Sequence, residues 1–81
     1  MVQGVGFRYF VQRIGKKLDL VGDVRNLPDD TVEIFVEGPP HQLEEFTGEV
    51  RRGPSMAHVE RLDIHDMPAT GRYSTFMIEG W

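Results

Sequence analysis

Apolar residues recur at helical spacing in two stretches of this chain, and each of those stretches is followed by two in which apolar and polar residues alternate. Phe7, Phe10, Val11, Ile14 and Leu18 fall on one stripe of a helix. Gly15 inside it costs about 1 kcal/mol relative to alanine, so that helix must draw on packing. Gly22 marks a break. "VGDVRN" is a short β-type run, "LPDD" a proline-led turn, and in "TVEIFVEG" Val32, Ile34 and Val36 alternate with Glu33, Phe35 and Glu37, which together predict a hairpin. "PPHQLEEFTGEVRRG" offers proline at a helix start, Leu43, Phe46 and Val50 at helical spacing, arginines in the last turn and Gly53 as a stop. "SMAHVERLDIHDM" alternates again, with Val59, Leu62 and Ile64 inward if one slip of phase, a bulge, is allowed between Val59 and Leu62. "TFMIEGW" closes the chain with Phe76 and Ile78 on one face.

The order helix, strand, strand, helix, strand, strand predicts an α+β sandwich, a ferredoxin-like antiparallel sheet with two helices on one face. The 81 residues make a single domain, 1–81, of a size that buries only about 60% of its unfolded surface, so no element is dispensable. The split arrangement opens with a strand that connection rules set in the sheet interior, and here nothing of that kind precedes Val2.

Charge narrows the partners. Residues 1–26 carry Arg8, Arg13, Lys16, Lys17 and Arg25 against Asp19 and Asp23, a surplus of three, so the overall −4 leaves −7 for the remainder. So acidic a chain is a poor polyanion binder, which argues against nucleic acid, while a small anion suits the basic N-terminal third. No apolar run approaches the roughly 20 residues of a membrane span, so no membrane partner is expected and the location defaults to the cytoplasm. There is no cysteine, which removes disulfides, thiolate catalysis and cysteine metal sites. His41, His58 and His65 are not spaced as a ligand pair on one helix face and read as solvated polar side chains, so neither metal nor cofactor is expected.

The chemistry concentrates in two places. In "VQGVGFRYF", Gly4 and Gly6 allow close approach of a ligand to the main chain, so that the N–H groups from Gln3 through Val5 to Phe7 can form an anion nest at the start of the helix. Arg8, in the first turn, can add a bidentate contact to two phosphate oxygens. The bland alternative is a turn whose glycines merely permit the bend. A dinucleotide fingerprint would need a third glycine where Tyr9 stands, and a P-loop would need Gly-Lys-Ser/Thr. The second place is "RNLP", where Asn26 ends a strand. Its carboxamide both donates and accepts, so it can hold a water and a phosphoryl oxygen together, but it is no base near neutral pH. Such a pair suits phosphoryl transfer, which asks for alignment and charge stabilisation, and suits it best when the leaving group is a carboxylate that needs no acid to expel it.

"VQGVGFRYFVQRIGKKLDLVGDVRN" resembles the signature region of the acylphosphatase family, Gly-x-Val-Gln-Gly-Val-Gly-Phe-Arg, a helix, then Gly-aromatic-Val-x-Asn. "LPDDTVEIFVEGPPHQLEEF", "GPSMAHVERLDI" and the final "FMI" are similar to that family's hairpin, second helix and last strands. The resemblance implies hydrolysis of acyl phosphates, carboxyl-phosphate anhydrides, to carboxylate and inorganic phosphate without metal or cofactor. It assigns phosphoryl binding to Arg8, orientation of the attacking water to Asn26, and a phosphate-cradling backbone to Gln3, Gly4, Val5, Gly6 and Phe7.

Three departures from the family pattern stand out. Asp23 occupies a place that is often tryptophan or tyrosine and shares a face with Arg25, which predicts an exposed ion pair contributing about 0 to 1 kcal/mol. Asp30 replaces a frequent turn glycine and is expected in the left-handed conformation that aspartate tolerates. Family members also carry an opening strand, so the chain reads as N-terminally truncated. Three inward side chains at about 1.5 to 3 kcal/mol each amount to about 5 to 9 kcal/mol, comparable with a whole domain's stability. A homo-oligomer through exposed strand edges or strand exchange is therefore expected. The competing function is an inactive fragment or an anion-binding interaction module that keeps the signature without its working geometry. A nucleic-acid-binding sheet is disfavoured by the acidity and by the lack of a basic aromatic strand pair.

Overall fold

The structure, a computed structural model, describes residues 3–29, 31–53, 61–67 and 70–79. Six elements follow in the order read from the sequence: α1 Gln3–Lys17, β1 Val21–Asn26, β2 Thr31–Glu37, α2 Pro40–Arg52, β3 Arg61–Met67 and β4 Phe76–Glu79. The α+β, ferredoxin-like class stands. The expected slip of phase, Asp30 and His58 lie outside the described residues.

Helix α2 forms as its sequence dictates: Pro40 opens it, Leu43, Phe46 and Val50 are buried, Arg51 and Arg52 close the last turn, and the Gly53 N–H donates to the Glu49 carbonyl. Helix α1 differs from expectation at its start. Residues Gln3 to Phe7, expected as a loop, are already helical, so the glycines there do not open a nest of positive-φ residues. At the other end α1 stops earlier than the Gly22 break suggests. Asp19 turns left-handed with φ 60° and the Leu20 N–H reaches back to the Gly15 carbonyl, a cap that aspartate tolerates without glycine.

The sheet runs β3-β2-β1-β4 and is continuous across its interior. It is mixed, where an antiparallel sheet was expected: β1 and β2 are antiparallel, but β2 and β3, and likewise β1 and β4, are parallel. Connectivity explains the directions. A short hairpin forces β2 antiparallel to β1; the α2 crossover returns β3 parallel to β2; and β4, running back from β3, is left parallel to β1. The hairpin turn is tied by the Leu27 N–H to the Thr31 carbonyl and by the Thr31 N–H to Asp29 Oδ1.

Val24, Val32, Ile34, Val36 and Phe76 line the face on which both helices pack, joined by Phe7, Val11 and Ile14 of α1 and by Leu43, Phe46 and Val50 of α2. The Phe46 and Phe76 rings meet at 5.8 Å. Lys17 Nζ bridges to Glu49 Oε1 at 2.9 Å between the helices, and that hydrogen bond holds the Glu49 carboxyl below its usual range. Gly22 sits so close to β2 that a Cβ would stand 1.9 Å from the Phe35 carbonyl oxygen.

The opposite face is not simply solvated. β3 ends beside Glu37 and β4 begins beside Gly22, so the connection between them passes two strands, and its residues Thr70 and Tyr73 hold that face. Thr70 N and Oγ1 donate to the two carboxylate oxygens of the buried Glu37, and the Tyr73 hydroxyl donates to Asp23 Oδ2 at 2.9 Å. The Asp23–Arg25 pair exists, but its acid is buried rather than exposed: Asp23 is 2% accessible, and one Arg25 nitrogen donates to both carboxylate oxygens at 3.2 Å. Arg25 also lies over the Phe35 ring, which stacks on His65.

Candidate active site

The site is built where the start of α1 crosses the end of β4. Arg8 and Gln12 are one turn apart on one face of α1. Gln12 Nε2 donates to the Phe76 carbonyl at 3.0 Å and Arg8 Nη1 to the Glu79 carbonyl at 2.9 Å. Helix and strand therefore run antiparallel, and the N-terminal turn of α1 lies at the end of the sheet where β4 finishes. Because β1 is parallel to β4 with Arg25 opposite Glu79, β1 finishes there too, and its last residue is Asn26.

Register places the two candidate residues more closely. The Gly22 N–H donates to the Thr75 carbonyl, so by steps of two along the parallel ladder the Asn26 N–H faces the Glu79 carbonyl, the group that Arg8 grips. Asn26 has the parity of Val24, hence it lies on the helix-bearing face with Arg8 rather than on the far face with Asp23 and Arg25. Its Oδ1 is buried and accepts no hydrogen bond from the described residues. A buried acceptor left without a donor costs roughly 1–3 kcal/mol, and native structures keep few of them.

Arg8 is nearly enclosed at 3% accessibility. Gln3, Gly4, Val5, Gly6 and Phe7 make up the first turns of α1, so amides expected in a loop lie at the leading end of the helix, where the N–H groups up to Val5 have no intrahelical acceptor and that of Phe7 falls to the Gln3 carbonyl. The first turn holds no acidic residue and the last holds Lys16 and Lys17, so no carboxylate of its own occupies the positive end. Phe7 turns inward to the core while Gly6 is exposed.

Other candidates fall elsewhere. A cleft of about 900 Å³ lined by Pro40, His41, Leu43, Glu44, Thr47 and Met67 lies at the Glu37 end of the sheet, opposite to Asn26. His41 is exposed, and His65 is 45% accessible with its Nε2 3.3 Å from Glu33 Oε2. Among the described residues no group of three histidine or acidic side chains is placed to hold a metal ion.

An arginine and an asparagine gathered at the leading end of a helix thus coincide with a family signature, and the model of that family, acylphosphatase, matches residues 1–78. The chain belongs to the acylphosphatase family. A relative in Thermococcus kodakarensis, named acylphosphatase, is 48% identical over 63 residues, covering 78% of this chain and 69% of its own length. One in Thermotoga maritima, of the same name, is 40% identical over 79 residues, covering 98% and 87%. The crystal structure of acylphosphatase from Bacillus subtilis superimposes with a TM-score of 0.77 at 37% identity, covering 98% of this chain and 88% of that one. Family membership carries the general reaction, hydrolysis of acyl phosphates by an enzyme.

Sequence reasoning missed two participants in the geometry. The Glu79 carbonyl is main chain and has no side-chain signal. Gln12 could have been noticed as the polar residue one turn beyond Arg8, beside the apolar stripe of the same helix.

Proposed function

We propose that this chain hydrolyses small acyl phosphates to a carboxylate and inorganic phosphate, with Arg8 binding the phosphoryl group and Asn26 orienting the attacking water. The observation that carries it is the buried, unsatisfied Oδ1 of Asn26 at the sheet end that Arg8 reaches. That oxygen is an acceptor for a water proton, and the amide nitrogen beside it is a donor for a phosphoryl oxygen. The arginine and the leading amides of α1, those at the start of the Gln3–Phe7 segment, neutralise charge on the equatorial oxygens. Water forms the new P–O bond as the bond to the acyl oxygen breaks. The electron pair leaves on the carboxylate and the water's proton passes to phosphate or solvent. A carboxylate leaves without protonation, so no acid and no metal is required for this step. Small acyl phosphates and inorganic phosphate are the partners, the location is the cytoplasm, and copies associate through strand edges rather than with nucleic acid.

The test is hydrolysis of acetyl phosphate in chelator. Arg8→Gln should weaken phosphate inhibition roughly ten- to a hundredfold, the worth of a charged hydrogen bond. Asn26→Ala should keep phosphate affinity and lose about 10²- to 10³-fold in turnover, as removal of one positioned polar group does elsewhere. Equal turnover by both variants and the parent would overturn the assignment.

A second function has an observation of its own: the first turn is closed helix rather than an open loop, and Arg8 already donates to a backbone carbonyl. An anion-binding module without turnover fits that geometry. Phosphate-dependent amide shifts from Gly4 to Arg8 with no hydrolysis would select it.

A further inference from the structure

Three successive residues of one stripe on α1 meet β4: Arg8 at the Glu79 carbonyl, Gln12 at the Phe76 carbonyl, and Gly15 at the Phe76 ring. The last contact sets the separation. A Cβ on Gly15 would lie 2.4 Å from Phe76 Cδ2, so helix and strand approach to a distance that only glycine allows, and the buried ring cannot easily retreat because Phe46 packs on it. The glycine that looked like a cost to the helix is where it docks.

The middle contact sets the register. Thr75 directs its carbonyl to β1, where it accepts from Gly22, and successive carbonyls of a strand point to alternate sides. The Phe76 carbonyl therefore points to the free edge of β4, where no strand of the sheet pairs with it, and Gln12 takes that acceptor. Fixing Gln12 to this one carbonyl fixes how far along β4 the helix sits, and with it which carbonyl a side chain one turn earlier can reach.

We infer that Gln12 is a positioning residue for Arg8: its side-chain amide locks the register of α1 on the free edge of β4, and so delivers the guanidinium to the sheet end that holds Asn26. The inference rests on the phosphoryl-binding role proposed for Arg8. An arginine loses much rotamer freedom on being ordered, and binding is stronger when that loss is met before the ligand arrives. Gln12 never touches substrate. Its effect must therefore appear in phosphate and substrate affinity with little effect on the reacting step, whereas a purely structural edge contact would change stability and leave affinity alone.

The experiment compares Gln12→Glu, Gln12→Met and Gln12→Lys with the parent and with Arg8→Gln, measuring KM and kcat for acetyl phosphate, the inhibition constant of inorganic phosphate, and thermal unfolding. Glutamate and methionine keep the side chain's length and suit a helix but remove the donor, whereas lysine keeps a donor. For the donor-less variants KM and the phosphate constant should each rise about three- to tenfold, the worth of one neutral hydrogen bond, with kcat within about twofold of the parent. Gln12→Lys should retain the parent values. If glutamate at that edge prevents folding, methionine alone decides. Parent-like affinity in folded donor-less variants, or an equal rise in Gln12→Lys, overturns the inference. Unimpaired hydrolysis by Arg8→Gln overturns instead the role of Arg8 itself.

Discussion

At the scale of single residues, two glycines exclude a side chain for different reasons. Gly15→Ala gains about 1 kcal/mol of helix propensity but forces a methyl into the Phe76 ring, and overpacking of that kind costs about 1–3 kcal/mol. Urea titration should show a modest net loss. Gly22→Ala should lose more, because the obstructing atom is the Phe35 backbone oxygen and the glycine's φ of +150° is itself unfavourable for a side chain. A reversal of that order would contradict the packing described. Arg8 and Asn26 could be singled out as candidates from the sequence because their side-chain chemistry is specific. The burial of Asp23 was not, since alternation assigns it to an outward face and the residue that covers it, Tyr73, is fifty positions away.

Legibility of the elements depended on whether their signals were local. Helix α2 was readable end to end because Pro40, the Leu43–Phe46–Val50 stripe and Gly53 all act within one segment. Phe46 is its anchor, fully buried against Phe76, and Phe46→Ala should cost about 3–5 kcal/mol, read from the denaturation midpoint. The start of α1 was misread because Gly4 and Gly6 signal a turn while helical backbone is equally open to glycine. Directions within the sheet were not readable either. The parallel pairings of β1 with β4 and β2 with β3 join segments distant in sequence, and nothing in the alternation of one strand names its neighbour.

Across the whole molecule, the connection between β3 and β4 acts as a strap over the far face, tied by Thr70 to Glu37 and by Tyr73 to Asp23. Burial raises the Tyr73 hydroxyl above its usual value, and the bond to the Asp23 carboxylate raises it further. The folded state thus holds that proton more tightly than the unfolded chain. The pH-dependent contribution of the Tyr73 proton is complete below about pH 10 and is lost as pH rises through that value towards the folded one. Thermal unfolding followed from pH 8 to 11 should fall more steeply for the parent than for Tyr73→Phe. Free strand edges carry the expectation of association: β3 shows one edge with no strand of this sheet against it, whereas β4 has Gln12 across its own. Sedimentation showing a dilution-resistant monomer would refute an oligomer. The contact between Arg8 and Glu79 spans 71 positions, so the guanidinium on α1 waits for β4, which is made later, to be seated. Since chains emerge from the ribosome N-terminus first, a nascent chain already holding α1, the β1–β2 hairpin and α2 has not yet made that contact. Seating of Arg8 therefore follows the folding of β4, and a chain that unravels from β4 would lose that contact first.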